Sequence, residues 1–438
     1  MKIIIIGAGL AGLTAAYRLA QSDHKVQVLE RHKTLTPRGG EMNVRPSATR
    51  IILQSWKEGD NIPSSLAKAL SAAATPTPHA LLRDATTGRV RMRNIAVDAS
   101  DSPDWGITRQ DAVHALYEAA IKAGAEVRFG VVVSGTDEGQ DKRFEKELTA
   151  DLVLAADGIR SATRRAVLAD LGCETEPVIS RTTLYGVHVD DAALALRAGT
   201  SRLTDQENIN VWTKGRSSNS SSGEGGFVVT RHNTKRNSVG LLFGIDTAET
   251  DQRSLWDEQG DIDLVRHSFR GACTELVQAL DAATSCDRWR LAELPDLPRW
   301  TSKGGRVLLL GDSAHAMHPN AAQGFSLIIE DIAVLDFLLR LLGGRGAEQD
   351  DGVVSQVARW WQEIRRPRVE RIKAYARWNT AMFSGGLPIP EQDVERRAVK
   401  SLRDVVPNRD ASFHSSAFLK WALDYDAIAE VRRPICCH

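Results

Sequence analysis

Apolar positions along this chain fall into two kinds of run, and the two kinds alternate. Ile3-Ile4-Ile5-Ile6 is β-branched and unbroken, as a parallel strand buried on both faces requires. Leu13 to Ala20 follows as a helix, then Val26-Gln27-Val28-Leu29 as a second strand ending at Glu30. The alternation returns downstream. Thr108-Arg109-Gln110-Asp111 introduces a helix over 112–123, Gly124 ends it, and 126–133 reads as a strand. Asp151 to Ala156 is a further strand, closed by Asp157-Gly158. Val307 to Leu310 is another buried strand, and Gly324 to Leu342 a long helix.

A different pattern fills the spaces between. Short strands are predicted within 75–100, and 178–245 is poor in helix signals, with alternating strands such as 226–231 and 239–243. Their short connections demand antiparallel or mixed pairing. A helix is predicted near Ser47, another over 261–283, and a third over 353–380, interrupted at Pro367. The charged stretch 137–147 reads as a solvated hairpin tip, and the Ser/Gly-rich stretch 217–226 as a flexible loop. No internal repeat is present.

Glycines mark where the first pattern carries chemistry. Gly7, Gly9 and Gly12 fit GxGxxG between strand and helix. The first permits a tight turn, the second lets backbone approach a pyrophosphate, and the third lets helix pack close to strand. The helix start at Leu10 and Ala11 would face the phosphates. Glu30 lies 18 residues beyond Gly12, where an acid binds a ribose 2′-hydroxyl. Gly311-Asp312-Ser313-Ala314-His315 ends the apolar run Val307–Leu310, about three hundred residues further on. A chain that returns to nucleotide chemistry so far downstream is expected to wrap one long cofactor, and FAD has the length. Asp312 would be repelled by a phosphate but suits a hydroxyl.

Composition narrows the class. The chain has 438 residues, with 56 Lys plus Arg against 56 Asp plus Glu, so its formal charge is zero. That gives no global attraction to nucleic acid or an anionic membrane. No run approaches the roughly 18 apolar residues that cross a bilayer. Cys173, Cys273, Cys286, Cys436 and Cys437 are scattered without metal-ligand spacing, which predicts reduced thiols, no metal site and a cytoplasmic protein. Cys436-Cys437-His438 reads as a frayed tail. Asn219-Ser220-Ser221 fits a glycosylation sequon but means little without secretion.

Three motifs in order resemble those of the single-component FAD-dependent aromatic hydroxylases of the p-hydroxybenzoate and salicylate hydroxylase type (class A flavoprotein monooxygenases). They are Gly7–Gly12, the DG-like segment Ala155-Ala156-Asp157-Gly158-Ile159-Arg160-Ser161, and the GD-like segment Gly311–His315 with Pro319 and Gln323-Gly324. Glu30-Arg31, the Arg109 segment, Trp300, Arg365-Arg366-Pro367-Arg368 and the stretch 421–427 are also similar, so the likeness covers nearly the whole chain and is weakest over 175–300. The resemblance implies an α/β fold: a Rossmann-like, glutathione-reductase-like FAD-binding domain with an inserted mixed β-sheet substrate domain and C-terminal helices. Its segments would be 1–74, 105–175 and 295–345 for FAD, 75–104 and 176–294 for substrate, and 346–438 for the helical end.

The same resemblance assigns the cofactor side. Gly7, Gly9, Leu10, Ala11 and Gly12 would hold the pyrophosphate, Glu30 and Arg31 the ribose region, and Arg109 the pyrophosphate or ribityl region. Asp157 would support FAD and the approach of NADPH or NADH. Asp312 would bind the ribityl chain, and Pro319, Gln323, Gly324 and Phe325 would lie beside the isoalloxazine. Free N–H groups at the helix start would favour the reduced flavin. Arg38 and Arg50 are weaker cofactor candidates, and His315 reads as structural. Ser326 departs from the family, which commonly carries Asn there. No second GxGxxG is present, which agrees with a cosubstrate that docks transiently.

The implied reaction is monooxygenation through a flavin C4a-hydroperoxide, on an aromatic, heteroaromatic or other electron-rich small molecule, in a monomer or homodimer. Epoxidation, oxidative rearrangement, or a non-oxygenating reductase or cyclase remain alternatives. Flavin halogenases resemble this fold but carry a WxWxIP segment and a catalytic lysine, and Trp300 and Trp360-Trp361 lie in no such context, which weighs against that class. On the substrate side, Tyr185, Arg231 and His232 are the polar candidates for catalysis, with His188, Trp212, Phe243, His318 and Phe325 lining the pocket.

Overall fold

The computed structural model describes residues 1–57, 64–77, 79–93, 102–135, 147–173, 175–197, 199–204, 208–214, 226–247, 255–257, 259–342, 351–388, 402 and 405–435. The expected hairpin tip, the Ser/Gly-rich loop with its sequon, and the cysteine tail lie essentially outside these residues.

The β-branched runs assemble into one five-stranded parallel sheet. Its order is Val307–Leu309, Leu152–Ala155, Lys2–Ile6, Lys25–Glu30, Glu126–Phe129. Lys2–Ile6 sits centrally, paired with Lys25–Leu29 on one side and Leu152–Ala155 on the other. Ile3 and Ile5 are fully buried, which is why this strand reads as apolar on both faces. The helices Leu10–Gln21 and Gly324–Leu342 pack against each other beside this sheet. Parallel strands put their C-terminal ends on one edge, so the turns after Ile6, Ala155 and Leu309 all open there.

The second pattern forms an eight-stranded mixed sheet. Its order is Trp256–Asp257, Asp287–Glu293, Val178–Asp190, Ser238–Asp246, Gly226–Asn233, Asn208–Lys214, His79–Asp84, Val90–Arg93. All neighbours are antiparallel except Asn208–Lys214 and His79–Asp84, which are parallel and far apart in sequence. A small sheet, Glu41–Val44, Trp105–Thr108 and Thr75–Pro76, joins the two large ones.

Both faces of the large sheet are covered. Tyr185, Trp212, Val228 and Phe243 pack against the helices Ile262–Ser268 and Thr274–Ala282. Leu184, Phe227 and Leu291 pack on the other side, against Met382 and Phe383. The helix expected over 261–283 is two helices, because Gly271 turns the chain at φ +82°.

The helix expected to break at Pro367 does not. Asp351–Phe383 runs through it. A proline inside a helix costs about 3 kcal/mol. Trp361, Arg365, Arg368, Val369 and Ile372 are buried on both sides of it, and that packing outweighs the lost bond.

Candidate functional site

The glycine turn has the shape that a pyrophosphate needs. Gly7 has φ +102°, and a Cβ there would lie 2.5 Å from the Ala156 carbonyl oxygen. A Cβ at Gly12 would lie 1.9 Å from the Gly7 oxygen, so the helix is pressed onto the strand. A Cβ at Gly9 would meet nothing within 4 Å. This open side is where the helix Leu10–Gln21 begins, with no side-chain cap on its first N–H groups. Leu10 and Ala11 bury their side chains and offer backbone only. Glu30 lies beside the turn, its carboxylate accepting from the amides of Ala8 and His32 at 2.8 Å each. Two of its lone-pair sites remain for a ribose. Arg31 and Arg38 are exposed. Arg109 opens the helix Arg109–Lys122, half-buried against Gly39, with its guanidinium bonded to no other described residue.

The GD segment adds a carboxylate at the same edge. Gly311 has φ +60°, and a Cβ there would lie 2.9 Å from that of Ala11. This close approach sets Asp312 beside the glycine turn. Asp312 is exposed and has no described hydrogen-bond partner. The residues after it are structural. Ser313 is buried and bonded to the Ala155 and Leu310 backbone. His315 bonds Asp331 at 2.8 Å and packs on Trp300.

Asp157 is used locally. Its oxygens accept from Ser161 Oγ at 2.6 Å and from Thr163 at 3.1 and 3.2 Å, which shapes the turn. Arg164, absent from the sequence reading, joins this turn to the GD segment. It is fully buried and donates to the carbonyls of Ile159, Thr175 and Ser313. Its only sequence signal is its place one helical turn after Ser161.

Pro319–Ala321 forms one 3-10 turn, and Ala322 follows with φ +52°. A non-glycine residue there costs roughly 1–2 kcal/mol. Arg45 Nε holds it by donating to the Ala322 carbonyl at 3.2 Å. Gly324 is exposed and opens the helix Gly324–Leu342. Ser326 Oγ accepts from the Arg45 amide at 2.9 Å, so serine serves the loop here. Gln323 is buried; its side-chain Oε1 accepts from Arg368 at 3.2 Å, and its Nε2 has no partner among the described residues. An unmatched buried donor beside an open helix start fits a flavin edge rich in acceptors. Phe325, the second residue of that helix, is buried in the main core. Arg50 is paired with Asp424 rather than directed at a cofactor.

Below the turn lies a buried charge network. Glu330 and Asp331 bind Arg365, and Glu330 also binds Arg368. Arg368 reaches the Ala422 carbonyl and lies over Trp421 and Tyr425. Burial pushes the Glu330 carboxyl upward, but Arg368 and Arg365 outweigh it and hold it below the usual range.

The substrate sheet corrects the catalytic candidates. Tyr185 and His232 point to the face covered by the two short helices, away from the nucleotide edge. His232 bonds Asp191 at 2.8 Å there. Trp212 and Phe243 share that buried face. Arg231 points toward the nucleotide edge but is spent as a brace, donating to the Met42 carbonyl at 3.0 Å and Asn43 at 2.6 Å. Burial lowers its guanidinium pKa, with Glu41 and Asp104 opposing. His188 is exposed near Gly40. The half-buried floor on this side is apolar: Val211, Val229 and Leu242. A cavity of about 270 Å³ lies between Thr182, His318 and Thr380, lined also by Arg181, Asp246 and Arg377.

The profile of the family described as "FAD binding domain" matches residues 1–349. The chain is 29% identical to the FAD-dependent monooxygenase OpS4 of Beauveria bassiana (strain ARSEF 2860), over 98% of this chain and 96% of that protein. It is 25% identical to the 6-hydroxynicotinate 3-monooxygenase of Bordetella bronchiseptica, over 86% and 91%. Among solved structures, CtdE in complex with FAD and substrate superposes with TM-score 0.78 at 20% identity, covering 100% of this chain and 98% of that one. A salicylate hydroxylase substrate complex superposes with TM-score 0.75 at 20% identity, covering 99% and 97%.

Proposed function

This chain belongs to the FAD binding domain family, among whose FAD-dependent monooxygenases its relatives lie, and on that premise we propose that it is a single-component aromatic monooxygenase using NADPH or NADH. The reaction puts one atom of O₂ on an electron-rich ring carbon and releases the other as water, with two electrons from the nicotinamide. Bound FAD would supply the passage of those electrons to O₂.

The chain's own residues bind, orient and exclude water. The first N–H groups of the helix Leu10–Gln21 would receive the pyrophosphate past the open side of Gly9. Glu30 would take the ribose and Arg109 would neutralise phosphate charge. Gln323 and the helix start at Gly324 would face the flavin edge that gains negative charge on reduction. The apolar floor of Val211, Val229 and Leu242 would keep the substrate side dry.

One observation carries the reading: Asp312, exposed and unpartnered among the described residues, set beside the glycine turn by Gly311. Purified protein is expected to hold FAD, and Asp312→Ala to lose it at least tenfold more readily at unchanged thermal stability. Equal retention by that variant would sink the assignment.

A further inference from the structure

The cavity beside the flavin turn has one titratable group whose hydrogen bonds decide its chemistry. His318 directly precedes Pro319, and its Nδ1 lies 3.1 Å from Thr380 Oγ1. That hydroxyl has a single hydrogen. It donates to the Ala376 carbonyl at 2.9 Å, as helical threonines do, and accepts from Asn320 Nδ2 at 2.9 Å. The remaining contact is satisfied only if His318 Nδ1 carries a hydrogen and donates it to Thr380. The neutral ring then has its lone pair on Nε2, which bonds to no described residue. Asn379 fixes the arrangement by donating to the Asn320 carbonyl at 2.8 Å. Burial lowers the His318 pKa below the ordinary histidine value, with Arg377 adding to the lowering and Glu293 opposing it, which favours the neutral ring that the hydrogen bonds require.

The charges around the cavity are already matched. Arg181 Nε lies 3.2 Å from Asp246, and Arg377 Nε lies 2.8 Å from Glu293. Arg377 also reaches Asp296. Thr182 and Ser384 add hydroxyls. A substrate carboxylate would find no unpaired cation among these described residues. A cavity of about 270 Å³ is roomy for a ring, since about 150 Å³ accommodates benzene.

We propose that Nε2 of His318 is the hydrogen-bond acceptor for a ring N–H or O–H of a neutral aromatic or heteroaromatic substrate in this cavity. The proposal rests on the monooxygenase reading and names the substrate class within it. The acceptor orients the ring and raises electron density at the carbon to be oxygenated. No net proton transfer is required of it.

The test uses FAD-loaded full-length protein and matched probes: indole with N-methylindole, phenol with anisole, and benzoate. Binding is read from the flavin absorbance, with flavin content and NAD(P)H oxidation followed for each preparation. Indole or phenol is expected to bind at least tenfold tighter than its methylated partner and than benzoate. His318→Phe is expected to erase that discrimination, and His318→Gln, whose carbonyl still accepts, to keep most of it. Thr380→Val removes the partner of Nδ1 at nearly constant shape and is expected to shrink the discrimination at least threefold, which serves if the Phe variant does not fold. Equal binding of parent and methylated probes, no binding of any neutral probe, or discrimination unchanged in the variants overturns the proposal. FAD-loaded protein that oxidises NAD(P)H with O₂ uptake yet fails this test loses the His318 assignment alone. Protein that takes up no FAD overturns the functional reading with it.

Discussion

A methyl group tells the glycines of the first turn apart. At Gly12 it would collide with the Gly7 backbone, so Gly12→Ala is expected to destabilise by about 1–3 kcal/mol. At Gly9 it would meet no protein atom, so Gly9→Ala is expected to stay within about 0.5 kcal/mol of the parent while FAD affinity falls. Urea unfolding of the apoprotein beside flavin titration separates the two. Unfolding that affects both variants equally would refute the distinction. Tyr185→Phe removes a single hydroxyl. Its ring is on the covered face of the sheet, so kcat/KM is expected to stay within about twofold, at a stability cost of about 1 kcal/mol. His318 sets a pH dependence of ligand binding. Its pKa is lowered on folding, so the neutral acceptor is fully present above the ordinary histidine value of 6.5 and is lost as pH falls through the lowered folded value. Affinity for a ring N–H probe should therefore be flat above pH 6.5 and weaken only below it. A weakening that begins above that value would contradict the assignment.

Between elements, the buried Glu330–Arg365–Arg368 network ties the helix Gly324–Leu342 to Asp351–Phe383 and to the chain around Trp421. Removing one partner strands the others in a low-dielectric interior. Glu330→Gln is expected to cost about 3–5 kcal/mol in chemical unfolding. Glu330 has a folded pKa below its ordinary 4.5, so its contribution is complete above 4.5 and disappears as pH falls through the lowered value. Acid unfolding of the parent should thus steepen below pH 4.5, and the Gln variant should lack that part of the slope. The elements also explain what was legible in the sequence. Gly7–Glu30 and Val307–Gly324 read clearly because strand, turn and helix are contiguous and their glycines answer local geometry. Tyr185 and Arg231 did not. Both faces of the large sheet are covered, so alternation along Val178–Asp190 does not reveal which face meets the flavin turn. Pro367 misled for a related reason: the burial that keeps its helix intact comes from residues distant in sequence.

Over the whole molecule, the mixed sheet is tied to the small sheet by Arg231, which donates to Met42 and Asn43. In the proposed reaction the parallel sheet would hold the nucleotide, and the substrate would take up the oxygen on the side of the mixed sheet where Val211, Val229 and Leu242 are half-buried. The proposed reaction is oxygen transfer rather than oxidation alone. The direct measurement is turnover of a stimulating neutral ring substrate under isotopically labelled O₂, with mass spectrometry of the product. One labelled oxygen per product molecule, at one NAD(P)H and one O₂ consumed, is the predicted result. A product free of label, or NAD(P)H oxidised without O₂ uptake, would contradict it.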